Sequence, residues 1–187
     1  MSGNWDIRCE QVDFALLFQQ GQLGFFDGYL YYKSWEEGFD YPPLGLIAQV
    51  IDLYSLPALR LMGAKIESFG ELMGTSLKKM ILDRTAENIV DFNTEILFFS
   101  DLRYLRISNN SLGNLDPSIM NMPKLQVLEA SNCSLSQETV DQILINADAK
   151  STRTGQIVLS LNAPPSSLGN AALANLQSKN WIVSVAT

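Results

Sequence analysis

Two stretches of this chain say nearly the same thing. Residues 102–112 read LRYLRISNNSL and residues 125–135 read LQVLEASNCSL. Leu102, Leu105, Ile107, Asn110 and Leu112 in the first are answered by Leu125, Leu128, Ala130, Cys133 and Leu135 in the second. Apolar residues two apart leave a short strand on the same side. An amide or thiol side chain three residues later can bond neighbouring backbone at a corner. The closing leucine then returns the chain to the interior. One such unit cannot bury its apolar edge alone, so it must stack against others of its kind.

All five positions of the pattern LxxLxLxx(N/C)xL are filled in both copies, and their separation falls within the roughly 20 to 29 residues of one such repeat. In these residues the chain resembles the leucine-rich repeat family, specifically over 102–135 and in outline over 56–187. The resemblance implies an α/β fold: a short leucine-rich-repeat solenoid with parallel strands on one face. Weaker copies flank the pair. Leu59, Met62, Ala64 and Phe69 keep the apolar offsets with Glu67 where Asn is expected, and Leu77, Met80 and Leu82 keep part of them.

After the second copy, Val140, Ile143, Leu144 and Ala147 recur at helical spacing, with Ser136 placed as an N-cap. An alternating strand centred on Leu159 and Leu161 comes next. A Pro-Pro corner, a second helix through Leu173 and Leu176, and a last strand in WIVSVA follow. This atypical ending is expected to act as a C-terminal cap. In style it is similar to the closing units of repeat proteins of bacterial surfaces and tailed-phage particles.

The first 55 residues are composed differently. They carry eight acidic against two basic side chains and twelve of the eighteen aromatics, so nearly all of the net charge of −7 resides there. Two parts are implied: residues 1–55 as an N-terminal capping or docking segment, and 56–187 as the repeat domain with its terminal cap. DGYLYYKSW alternates as a strand, and PLGLIAQVIDLYS places Leu44, Ile47, Ile51 and Tyr54 near one helical face after Pro42-Pro43. Trp35, Tyr31, Tyr32 and Tyr41 have two readings, as a docking or sugar-stacking surface and as filling of a small core beside the first repeat. SWEEGFDYPP reads as the exposed exception, with Trp35 and Tyr41 as candidate binding residues.

Chemistry is constrained by what is missing. The chain has no histidine, which removes the usual general base, the usual metal ligand and any Ser/His or Cys/His nucleophile. Cys9 and Cys133 make neither a disulfide framework nor a metal site. Cys133 and Asn110 are expected as corner residues. Glu36, Glu37 and Asp40 lie together as a solvated acidic loop, without the two facing carboxylates that glycoside hydrolysis needs. The expectation is a non-enzymatic chain with no cofactor and no bound metal.

Without a run of Lys or Arg, an acidic chain has no footprint for nucleic acid. No apolar run approaches the roughly 18 residues that span a bilayer. The N-terminus lacks the basic start and small-residue cleavage site of a secretory signal, which points to synthesis in the cytoplasm. What remains is a binding surface. The second position of each unit gives Arg60, Lys78, Arg103 and Gln126, and the fifth gives Gly63, Ile81, Arg106 and Glu129. With Tyr104 beside them, these form a short basic stripe on an acidic molecule. The expected partners are proteins, whether virion components or copies of this chain, with a glycan as the alternative. The expected role is a structural or interaction module of a phage particle, or else an intracellular adaptor.

Overall fold

The computed structural model describes residues 23–26, 29–33, 47–48, 51–52, 55–62, 66–86, 89–150 and 154–186. Eight strands form one open sheet in the order of the chain: β1 (Leu23–Phe26), β2 (Tyr29–Lys33), β3 (Ala58–Met62), β4 (Lys79–Asp83), β5 (Tyr104–Arg106), β6 (Val127–Glu129), β7 (Gln156–Leu159) and β8 (Ile182–Val185). The first pairing is antiparallel and the six that follow are parallel. The strand expected in DGYLYYKSW is β2, and its bonding to β3 carries the sheet across the 55/56 boundary.

The two clear copies lie side by side without a gap, Leu105 opposite Leu128 and Arg106 opposite Glu129. Leu59, Met80, Leu105, Leu128 and Ile157 form one inward row. Two residues on, Leu61, Leu82, Ile107, Ala130 and Leu159 form another, and every member of both rows has 0% exposure. At about 25 cal/mol per Å² of apolar surface, such rows supply the main drive for stacking the units.

The register corrects one reading. Leu59 stands opposite Met80, hence in line with Leu105 and not with Leu102. The first unit therefore opens at Leu56, three residues earlier than the spacing suggested. Ile66, buried, takes the closing position that had been given to Phe69. Phe69 lies deeper, its ring edge-on to Phe99 with centroids 5.1 Å apart.

Corners follow the strands as the repeat requires. The side-chain carbonyl of Asn110 accepts from the backbone N–H of Thr85 at 2.7 Å and of Ala86 at 2.9 Å, and its Nδ2 donates to the carbonyls of Leu82 and Ile107 at 2.7 Å each. Cys133, fully buried, donates its thiol to the Ile107 carbonyl at 3.0 Å. Asn162 repeats the Asn110 arrangement two units later: it accepts from Cys133 N at 2.9 Å and donates to the Ala130 carbonyl at 2.7 Å. Asn162 was not singled out in the sequence.

Just before each corner residue the backbone turns left-handed, at Arg84, Asn109, Asn132 and Leu161, with φ of 53°, 63°, 54° and 61°. Leu161 is thus not part of an alternating strand. It sits on the turn with 75% exposure, and β7 ends at Leu159.

Helical segments cover one side of the sheet. Single turns at Gly70–Gly74, Phe92–Glu95, Ile96–Phe98 and Pro117–Asn121 serve the middle units, and longer helices α1 (Gln137–Lys150) and α2 (Ser167–Ser178) serve the last two. Ser136 starts α1 as expected, its hydroxyl accepting from Thr139 N at 3.2 Å. Val140, Ile143, Leu144 and Ala147 are all buried beneath it. On α2 the buried face runs through Gly169, Ala172 and Leu176, with Leu173 half-buried. Trp181, ahead of β8, is buried against Gly155, where a β-carbon would come within 2.6 Å of its ring. Ile47, Ala48 and Ile51 are helical and buried, while Leu44 and Tyr54 lie outside the described residues.

Candidate interaction surface

With one side of every strand committed to the core, the alternate residues form rows on the opposite side of the sheet. The register gives them in order. One row is Ala58, Lys79, Tyr104, Val127, Gln156 and Ile182, and the next is Arg60, Ile81, Arg106, Glu129, Val158 and Ser184.

Because the first unit opens at Leu56, Arg60 belongs to the same row as Arg106 and not with Lys78 and Arg103. Lys78 and Arg103 stand just ahead of β4 and β5, exposed, on a flank where the Arg103 N–H donates to the Lys78 carbonyl at 2.8 Å. The expected single basic stripe is therefore two features.

The first is a neutralised ladder over two adjoining rows, since Asp83 stands two residues beyond Ile81, opposite Met62. Arg60 donates to Asp83 through its terminal nitrogen at 2.7 Å and its Nε at 3.2 Å. Arg106 Nε lies 3.7 Å from the other Asp83 oxygen and 3.9 Å from Glu129. Charges thus alternate Arg, Asp, Arg, Glu across β3 to β6. Arg106 Nε is buried and has no hydrogen-bond partner within reach, so this arginine holds its neighbours by charge more than by directed bonds.

The second feature is the flank. Exposed Lys78, Lys79 and Arg103 lie there beside Lys124, which bonds Asp101. The Lys124 hydrogen bond, Lys124's charge and the charges of Lys78 and Arg103 hold the Asp101 carboxyl below its ordinary value, against the opposing effect of burial. Tyr104 is half-buried between the two features.

Trp35 and Tyr41 lie outside the described residues, as do Glu36, Glu37 and Asp40. Asp83 and Lys79 were missed as members of the face. Glu129 was already in the aligned fifth position and its sign could have been weighed. Lys79 and Asp83 stand at the third and seventh positions of the unit that opens at Leu77, outward positions that lie outside the second and fifth.

Two hollows accompany the sheet. One of about 200 Å³ is lined by Ile51, Asp52, Ser55, Leu56, Pro57, Ser76 and Lys78. Another of about 540 Å³ lies around Val90, Asp91, Asn93, Ser111 and Asn114. Among the described residues no three His, Cys, Asp or Glu side chains converge to hold a metal ion, and no helix is long and apolar enough to cross a membrane.

Residues 101–122 match the family model described as Leucine Rich Repeat, which supports a leucine-rich-repeat protein. Domains of that kind are generally non-catalytic and generally bind protein partners. No curated protein and no solved structure matches the chain.

Proposed function

We propose that this chain is a non-enzymatic protein-interaction module, a short solenoid that presents the outward rows of β3 to β8 to a partner. The observation that supports it best is the contrast between the two sides of the sheet. Inward rows are wholly apolar and wholly buried, while the outward rows carry a charged half on β3 to β6 and an uncharged half on β7 and β8. Stability asks nothing of the outward side but solubility. Half-buried Tyr104, Val127 and Val158, exposed Ile182 and a four-residue charge ladder instead offer anchors for an interface. In this reading residues 56–187 form the repeat part with α2 and β8 as its cap, and the acidic residues 1–55 form a second docking element containing Trp35 and Tyr41.

The setting proposed is a virion, where such a module serves as an appendage, fibre or decoration protein; the support is the style of the closing sequence. An intracellular adaptor and a glycan-binding protein are the rivals. Mass-spectrometric inventory of what the native protein travels with separates them. Stoichiometric presence in purified particles supports the virion, one soluble partner supports the adaptor, and a glycan-array signal supports the third. In each case Arg106→Glu on the outward face should remove the partner, whereas Gln142→Arg on exposed α1 should not.

A further inference from the structure

Taking the interaction reading as its basis, we infer that the flank where β4 and β5 begin docks an acidic, extended segment of a protein partner, one whose carboxylates are gathered at one end. Lys78, Lys79 and Arg103 are exposed, and none is in an ion pair among the described residues, whereas Asp101 is engaged by Lys124 and Asp83 by Arg60; Asp52 lines the hollow beside Lys78. Three cations outside any ion pair among the described residues thus stand together on a chain of net charge −7, facing one carboxylate that Lys124 already holds and, at Lys78, Asp52. Lys78 and Arg103 occupy the same place on neighbouring units, tied by a 2.8 Å backbone bond. Adjacent strands lie about 4.8 Å apart, so one carboxylate can bridge both cations. Lys79 faces the outward row directly beside Tyr104.

The positive field at this place has its own witness in the depressed Asp101 carboxyl, to which Lys78 and Arg103 both contribute. Further across the sheet the same positions are Gln126 and Gly155, and the adjoining row continues as Val127 and Gln156. Charge ends where β6 begins that row. A partner matching this surface is acidic over β4 and β5 and uncharged over β6 and β7. Nucleic acid fits poorly, because its binding depends on neutralising many phosphates and the rest of this molecule repels a polyanion.

The test uses the full chain and three short fluorescein-labelled peptides of equal length: Glu/Ser, Lys/Ser and an uncharged Gln/Val/Ser sequence. A labelled DNA duplex is the fourth probe. The Glu/Ser peptide should bind with an affinity that falls as salt rises. Combined Lys78→Glu, Lys79→Glu and Arg103→Glu should weaken it at least about tenfold, while Gln142→Glu with Gln177→Glu on the exposed helices leaves it unchanged. Circular dichroism melts of each variant check that the fold persists. If only the uncharged peptide binds, and Val158→Arg abolishes that binding, the acidic-segment proposal is wrong and the interaction reading stands. DNA binding as tight as that of the Glu/Ser peptide also overturns the proposal. If no probe binds, the proposal falls; the interaction reading falls with it if native partners also survive Arg106→Glu.

Discussion

Asp141, on the buried face of α1, accepts a hydrogen bond from the backbone N–H of Ser166 at 2.9 Å and a second from the Ser166 hydroxyl. Ser166 in turn accepts from Leu168 N at 3.1 Å, which starts α2. One carboxylate thereby fixes where the last helix begins relative to the one before it. Asp141→Ala leaves the Ser166 N–H without its acceptor and should cost about 1 to 3 kcal/mol in a urea melt. Asp141→Asn keeps one oxygen and should lose less. Equal losses for the two would mean that packing, not bonding, is what Asp141 supplies.

Gly169 is part of the same joint. A methyl group there would lie 2.0 Å from Asp141 Oδ1 and 2.9 Å from the Pro165 side chain. Gly169→Ala should therefore destabilise the chain although alanine favours helices. In the Asp141→Ala background the penalty should shrink, and a double-mutant cycle should give a coupling of about 0.5 to 3 kcal/mol. Additive losses would place the strain at Pro165 instead.

The corner residues differ in what they hold. Asn110 accepts from two backbone N–H groups and donates to the carbonyls of Leu82, Ile107 and Ser108 in the interior, whereas the Cys133 thiol donates to the Ile107 carbonyl at 3.0 Å and reaches that of Ser131 at 3.5 Å. Asn110→Ala strands several buried groups at once and should cost at least about 3 kcal/mol, with Cys133→Ala nearer to 1 kcal/mol. Chemical melts of the two variants side by side decide it, and a reversed order would sink the corner assignment.

Much of this was legible where leucines stand alone at their offsets. Leu102, Leu105 and Ile107 admit one frame, and the structure keeps it. Around Leu53, Leu56, Leu59 and Leu61 several frames compete, and Pro57 disguises the flank position, so the first unit was read three residues late and Arg60 was put in the wrong row. Asn162 was missed because Thr154 and Pro164 replace the apolar ends of its unit while Ile157 and Leu159 keep the centre. The pairing of Arg60 with Asp83 joins residues 23 apart and depends on strand register, which no local pattern encodes. The positive surplus at Lys78, Lys79 and Arg103 emerges only after that pairing is removed from the sum.

Acid should loosen the joint between the last two helices. Asp148 on α1 receives Asn175 Nδ2 at 3.1 Å from α2 and Lys179 Nζ at 2.6 Å from the residue that caps its C-terminus. The Lys179 hydrogen bond is the main reason its carboxyl titrates below the ordinary 3.8, partly offset by burial and aided by Asn175 and the lysine charge. Since the folded value is the lower one, the stabilisation is fully present above the unfolded value and disappears as pH falls through the folded one. Wild type should melt above Asp148→Asn at neutral pH, and the gap should begin to close as pH falls below about 4 and vanish only below the depressed folded value. A gap that persisted undiminished at lower pH would show that the ion pair is not its source.

Leu161 is poorly suited to its place. Its φ of 61° matches those of Asn109 and Asn132 in the equivalent turns, where Asn132 Nδ2 donates to Asn109 Oδ1 at 3.1 Å. Asparagine visits the left-handed region readily, while a leucine there brings its β-carbon too close to the following carbonyl, at roughly 1 to 2 kcal/mol. The side chain gains little in return, being 75% exposed. Leu161→Asn should raise stability by about 0.5 to 1 kcal/mol and extend the exposed asparagine row by one unit. Leu161→Gly should relieve the same strain but forfeit part of the gain through the greater freedom of its unfolded chain. Thermal and urea melts of both variants give the order Asn, Gly, Leu. A loss of stability in Leu161→Asn would mean that the leucine makes contacts in solution that outweigh its backbone strain, and would point to Leu161 as part of an interface.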